Sequence, residues 1–204
     1  HNDGHWRLPR ARWTPTATWL GEVPEPLPAA EGWAHLVGAW LARFGPGTED
    51  DLAWWLGATK AIVRQALADV DAVPVSLDGD LAGYVLADDV DPVQPVEPWA
   101  ALLPVLDPAT MGWRHRDWYL DPAHVPWLFD TNGNGGTTAW WGGRVVGCWV
   151  QDAAGIVRVI PSEELDAAAS EALGAEAQRL TALLEGSIVN TVYASRQMLR
   201  ERLP

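Results

Sequence analysis

The stretch that decides the fold is residues 44–67, "FGPGTEDDLAWWLGATKAIVRQAL". It carries the punctuation of two short helices joined by a tight turn. "FGPG" (44–47) stops whatever helix precedes it. Thr48 followed three residues later by Asp51 has the form of a capping box with Asp in place of Glu, and it opens the helix "EDDLAWWLG". Gly57 ends that helix, and Thr59 can cap the next, "KAIVRQALADV" (60–70). Periodicity gives the second helix a buried face of Ile62, Val63, Ala66, Leu67 and Val70. On the N-terminal side, "EGWAHLVGAWLAR" (31–43) sets Trp33, Leu36, Val37, Trp40 and Leu41 on one helical stripe. On the C-terminal side, "AVPVSL" and "GYVLAD" flank "DGDLA" (78–82), a strand–turn–strand signal. Helix, helix, tight turn, helix, hairpin is the order of a winged helix, a helix-turn-helix variant, placed here at residues 31–91.

The segments around it have a different character. "HWRLPRARWTPTATWL" (5–20) is aromatic and reads as extended, with prolines that oppose a helix interior. "GEVPEPLPAA" (21–30) is a Pro-rich linker, and "DPVQPVEP" (91–98) marks a second one over 92–98. Between 99 and 160 the chain breaks into short apolar runs separated by turn signals such as "NGNGG" (132–136) and Gly142-Gly143. "RVVGCWVQD" (144–152) and "IVRVIP" (156–161) read as strands. "SEELDAAASEALGAEAQRLTALLEG" (162–186) reads as a long helix capped by Ser162. "SIVNTVYA" (187–194) is expected to be a last strand, and "RQMLRERL" (196–203) a short basic helix. The class is therefore α+β: a winged-helix domain, then a small antiparallel β-barrel or sheet domain (99–204) with a long C-terminal helix.

Composition limits the functions open to such a chain. Net charge is −13, which opposes indiscriminate binding to a phosphate backbone. The charge is uneven, with +2 on residues 1–20 and −9 on residues 49–98. A polyanion contact is thus expected at the N-terminal edge or in the tryptophan-rich middle. Cys148 is the single cysteine, so an intramolecular disulfide is excluded and a cytoplasmic setting is expected. No run reaches the ~18 apolar residues of a membrane span, and no signal peptide is present. The chain opens on "HNDGHWRL" without an initiator Met and reads as a C-terminal piece of a longer protein.

Candidate chemistry is sparse. The third helix of the winged module exposes Lys60, Arg64 and Gln65, but Asp69 and Asp71 accompany them, so a scaffold role is favoured over base reading. "MGWRHRDWY" (111–119) puts Arg114 and Arg116 on one face of an extended strand, with His115 on the other. Two readings stand there: a phosphate clamp or stacking platform, or a core rim in which the arginines pair with Asp107, Asp117 or Asp121 over indoles. "DTNGNGG" (130–136) alternates Asp and Asn like a calcium loop, but Trp141 occupies the position of the closing Glu, so an Asx-rich turn is expected. His1, His5, His35, His115 and His124 lack metal-ligand spacing, and Cys148 reads as an inert core thiol. No G-x-S-x-G, P-loop or dinucleotide fingerprint occurs, so neither a metal nor a cofactor is expected.

Several segments together, "RWTPTATWLG", "FGPGTEDDLAWWLGATKAIVRQAL", "LLPVLDPATMGWRHRDWYL", "LFDTNGNGGTTAWWGGRVVGCWVQ" and "AEAQRLTALL", resemble the bacterial AlkZ-like family in order and spacing, from about Arg12 to the C-terminus. The resemblance implies tandem winged-helix domains followed by a β-barrel, residues 1–20 being the end of a preceding winged helix. It implies nucleoid-associated work on damaged double-stranded DNA: excision of alkylated bases, interstrand crosslinks included. An N-alkylated purine is a cationic leaving group, so a site that holds a water below C1′ with amide or carboxylate oxygens suffices. The family's Gln-x-Gln or Gln-x-Asp motif is absent here: Gln65, Gln94, Gln151, Gln178 and Gln197 are never two apart, and none has Asp two positions on. The resemblance therefore places catalysis upstream, with no catalytic residue in this chain. It leaves Arg114, Arg116, Asn132, Asn134 and Arg144 as candidate DNA-facing residues, beside Lys60 and Arg64 of the helical module.

Overall fold

The computed structural model describes residues 10–200. His1, His5 and the first part of the 1–20 segment lie outside the described residues, as does the end of "RQMLRERL". Where an extended chain was expected, Pro15 introduces a short helix, α1 (Thr16–Leu20), ended by left-handed Gly21. A proline is tolerated at a helix entrance because the first turn needs no N–H from it. Every residue from 10 to 31 is exposed.

The helical module consists of α2 (Ala29–Phe44), α3 (Glu49–Leu56) and α4 (Lys60–Asp69), followed by the antiparallel hairpin β1 (Val73–Leu77) and β2 (Leu81–Val85). The capping box is present in full. The Thr48 hydroxyl accepts from Asp51 N at 3.1 Å, and Asp51 Oδ2 accepts from Thr48 N at 2.9 Å. Thr59 caps α4 through Ile62 N. The predicted faces close into one core of Val37, Trp40, Leu41, Leu52, Val63, Ala66 and Leu67, while Leu36 stays exposed at the edge of its stripe. Gly47 pairs with β2 from outside the hairpin in a single antiparallel bridge, exchanging two backbone hydrogen bonds with Tyr84. Its missing side chain is what admits the Trp40 indole against the backbone there.

Beyond residue 98 the chain forms a four-stranded antiparallel sheet in the order β3 (Ala100–Leu103), β4 (Thr138–Trp141), β5 (Arg144–Gln151), β6 (Val157–Pro161). Gly142 and Gly143 both take positive φ in the β4–β5 turn, as a two-residue primed turn demands. The expected barrel is not closed, because β3 and β6 remain edges. Instead of further strands, helix α7 (Ala167–Leu184) packs across β3, β4 and β6. That face holds Leu102, Ala139, Val146, Trp149, Val157, Leu173 and Ala177. The opposite face holds Tyr119, Leu120, Leu128, Phe129, Trp140, Val145 and Cys148. β5 is therefore buried on both sides, which explains a run of apolar residues with no alternation. Short helices α5 (Pro108–Met111) and α6 (Val125–Leu128) lie in the connection from β3 to β4.

Two further expectations are corrected. The long helix starts at Ala167, not near Ser162, and its cap is Asp166, which accepts from Ala169 N at 2.7 Å. Ser162 is held elsewhere: its N–H extends the sheet to Val146 O, and its hydroxyl donates to Gln197 Oε1. Residues 187–194 form no strand. Gln151 ties them down instead, donating to Ser187 O and accepting from Val189 N. Val192 is 89% exposed, so the β-branched run has no face to bury. The last helix is α8 (Arg196–Arg200).

Candidate nucleic-acid interface

The two halves meet at a buried carboxylate. Asp51, 2% exposed, serves the capping box with Oδ2 and turns Oδ1 toward the loop after α5. There it accepts from the backbone N–H groups of Arg114 and His115, both at 2.8 Å. His115 Nδ1 lies 3.2 Å from the same oxygen and 3.2 Å from Thr48 Oγ1. Beside this clasp, Trp113 donates from Nε1 to Phe44 O at 3.0 Å. Its ring packs edge-on against Phe44 and Trp118, and it contributes to both the helical core and one face of the sheet.

The loop 112–118 is therefore not a strand, and the two arginines do not share a face. Arg114 points outward, exposed, and its guanidinium makes no hydrogen bond or ion pair among the described residues. Arg116 turns in. Its Nε donates to Trp113 O at 3.0 Å, and its guanidinium carbon stands 4.5 Å from the Phe129 ring centre and 5.4 Å from that of Trp54. Burial pulls its pKa below the usual arginine range, with Tyr119 opposing the shift. The same burial pushes the Tyr119 phenol up. Neither arginine pairs with Asp107, Asp117 or Asp121; Arg116 is held by the Trp113 carbonyl and by aromatic faces.

A cleft of about 600 Å³ opens between the hairpin turn and this loop. Phe44, Trp113 and Trp118 are part of its apolar wall, and its polar lining includes His115 and Arg144 together with three carboxylates, Asp51, Asp78 and Asp117. Arg144, exposed in the glycine turn, donates to Trp118 O at 3.2 Å and is thereby aimed along the rim. The geometry thus brings Arg144 and His115 to one cleft and sets Arg114 beside it.

The remaining candidates are engaged elsewhere. Lys60 Nζ sits 2.8 Å from Asp50 Oδ1, and that hydrogen bond holds the Asp50 carboxyl below its usual range. Arg64 Nε sits 2.9 Å from Glu49 Oε2, which raises the arginine further. Gln65 donates to Asp69. Exposed ion pairs are weak and exchange readily, but the carboxylates stay in place, so the outer face of α4 keeps its acids toward any approaching phosphate. Asn134 donates from Nδ2 to Asp130 Oδ2 at 2.8 Å, and the backbone N–H groups of Asn132 and Asn134 both bond Asp130 Oδ1. This is the expected Asx turn, and it leaves the Thr131 and Asn132 side chains exposed at its tip.

Sequence reasoning missed the second task of Asp51, because its partners lie 63 and 64 positions away. It also passed over Trp113, Trp118 and a tryptophan–arginine group built on Trp127. Among the described residues no cluster of His, Cys, Asp or Glu could hold a metal ion, and no helix is long and apolar enough to cross a membrane.

Comparison with known proteins adds to this geometry. No protein with a curated description matches the chain. Among solved structures, the Streptomyces sahachiroi DNA glycosylase AlkZ superposes with a TM-score of 0.65 at 23% identity, covering 81% of this chain and 47% of that one. At that identity the likeness is one of fold, and the chain spans about half the length of the matched protein. The sequence model of the family described as "DNA glycosylase AlkZ-like" matches residues 1–183. A match over that span places the chain in the AlkZ-like DNA glycosylase family.

Proposed function

We propose that this chain is the DNA-embracing part of a repair glycosylase that removes alkylated bases, interstrand crosslinks included, and that the catalytic glutamine motif is supplied by a segment outside these residues. The family match over residues 1–183 carries the reading. The helical module is read as a winged helix because α2, α3 and α4 are followed directly by a hairpin, with Gly47 bridging to its β2 strand. Its third helix acts as scaffold, since Lys60 and Arg64 are already matched by Asp50 and Glu49. Contact with duplex DNA falls to Arg114 and Arg144, which flank the cleft, and to Asn132.

The chemistry assigned to the whole enzyme needs little from this half. Cleaving the bond to a cationic base requires a positioned water and stabilisation of the sugar cation. What this half contributes is grip and register on the backbone. The test is excision of N7-alkylated bases from duplex DNA by a protein that includes the glutamine motif, with Arg114→Ala and Arg144→Ala as variants. Both should raise the DNA concentration needed for half-maximal excision and leave the single-turnover rate at saturation unchanged. No excision across a panel of alkylated duplexes would overturn the enzyme reading. A second reading, a DNA-binding protein without enzymatic activity, is favoured by the absence of the glutamine pair from this chain. Duplex binding without excision by that longer protein selects it.

A further inference from the structure

Several cations among the described residues are already engaged. Lys60, Arg64, Arg158 and Arg179 each face a carboxylate at 2.7–3.0 Å, and Arg116 is enclosed by aromatic rings. Arg196 and Arg200 are different. Both are exposed, one turn apart on α8, and their guanidinium carbons lie 4.9 Å and 5.1 Å from the Trp127 ring centre. Neither bonds a carboxylate among the described residues.

The inner side of α8 explains why the pair faces outward. Ser195 is fully buried, Gln197 donates from Nε2 to Ile160 O, and Met198 packs against the sheet. The helix is thus fixed by residues that alternate with the arginines, and both guanidinium groups are carried to the surface on a half-buried indole. Stacking uses the flat face of a guanidinium and leaves its edge N–H donors free. Two such groups on one indole, neither bonded to a carboxylate among the described residues, offer donor edges to an anion. The ligand chemistry that suits them is a tetrahedral oxyanion with several acceptor oxygens, repeated along a chain: the sugar–phosphate backbone.

We infer that Trp127, Arg196 and Arg200 form a second, sequence-independent contact for the DNA backbone, separate from the Arg114–Arg144 cleft. The inference rests on the DNA-binding reading above and extends it to the far end of the chain.

The experiment measures anisotropy of a labelled undamaged duplex with the full chain over a salt series. Wild type is compared with Arg196→Ala/Arg200→Ala and with Arg196→Lys/Arg200→Lys. Thermal melts check that all three are folded. Two lost phosphate contacts should flatten the slope of log K against log salt by about 1.8, from ~0.9 per contact. Kd at low salt should rise about tenfold or more. The lysine pair should keep the slope and lose part of the affinity, because an ammonium neither stacks nor forks. Wild-type binding with an unchanged slope and Kd in the alanine pair overturns this inference and spares the DNA-binding reading. Failure of wild type to bind duplex overturns both. Binding of a poly-glutamate peptide in place of duplex, lost in the alanine pair, also overturns it and marks the site as one for acidic protein.

Discussion

Replacing Asp51 by alanine tests the way the two halves are joined. The side chain is the acceptor for three backbone N–H groups, those of Thr48, Arg114 and His115, at 2.8–2.9 Å. It also receives the Thr48 hydroxyl at 2.7 Å. A buried donor left without an acceptor costs about 1–3 kcal/mol. Three of them would cost roughly 3–9 kcal/mol, and water entering the vacated space offsets about a third, leaving a loss of about 2–6 kcal/mol. For a chain of this size each kcal/mol moves Tm by about 2–4 °C, so a fall of about 4–24 °C is expected. Asp51→Asn should fall between, since one oxygen can still serve Arg114 and His115 while the amide nitrogen opposes the Thr48 N–H. Thr48→Val removes the cap and should cost only about 1–2 kcal/mol. Melts followed by both far-ultraviolet dichroism and tryptophan emission give the comparison. A fall of less than about 4 °C for Asp51→Ala, or one no larger than that of Thr48→Val, would refute the clasp.

Other outcomes follow from the same geometry. Arg116→Ala should lower stability in urea by about 1–2 kcal/mol, through loss of its packing on Phe129 and Trp54 and its bond to Trp113 O; Arg114→Ala should leave the urea midpoint unchanged. Gly47→Ala places a methyl against the buried Trp40 indole, which must shift to admit it, so the variant should lose about 1–3 kcal/mol of stability in urea. The Asp130 carboxyl is held below its ordinary 3.8, first by the Asn134 side chain. Its stabilisation is thus complete above the ordinary value and fades as pH falls through the depressed one. Wild type should therefore exceed Asp130→Ala in urea midpoint at neutral pH, with the gap closing below about pH 4; a gap that stays constant into acid would refute the assignment.

What was legible in the sequence was local. Thr48 and Asp51, Thr59 and Ile62, and the paired glycines at 142 and 143 each report on bonds made within three or four residues, so composition and spacing fixed them in advance. The same holds for Asp130 and its asparagines. What escaped was long-range or competitive. Arg114 and Arg116 were assigned a common face by strand geometry, but two N–H bonds to Asp51 pull the loop out of an extended path. Ser162 has the chemistry of a cap, yet Gln197 and Val146 claim it, and Asp166 caps instead. A small antiparallel barrel or sheet was expected from the count of strand-like runs, and an open four-stranded sheet is what forms. One of those runs, 187–194, is held by Gln151 with Ile188, Val189 and Val192 exposed, and α7 covers the sheet face instead of further strands. At the candidate site, Arg144 and His115 meet across the cleft because of the clasp, and no pattern within either segment could announce it.

Trp113 sits in the cores of both halves, and this bears on how the chain can be divided. The stretch 91–98 is exposed throughout and rich in proline, the place where a protease would enter or a shortened gene would be cut. Cleavage there parts the backbone without parting the fold. The indole stays lodged against Phe44 and Trp40, its N–H bonded to Phe44 O, and the fragments remain together as a nicked whole. Expressed apart, one piece would display a socket and the other a bare indole, so each would be sticky alone and soluble only when mixed.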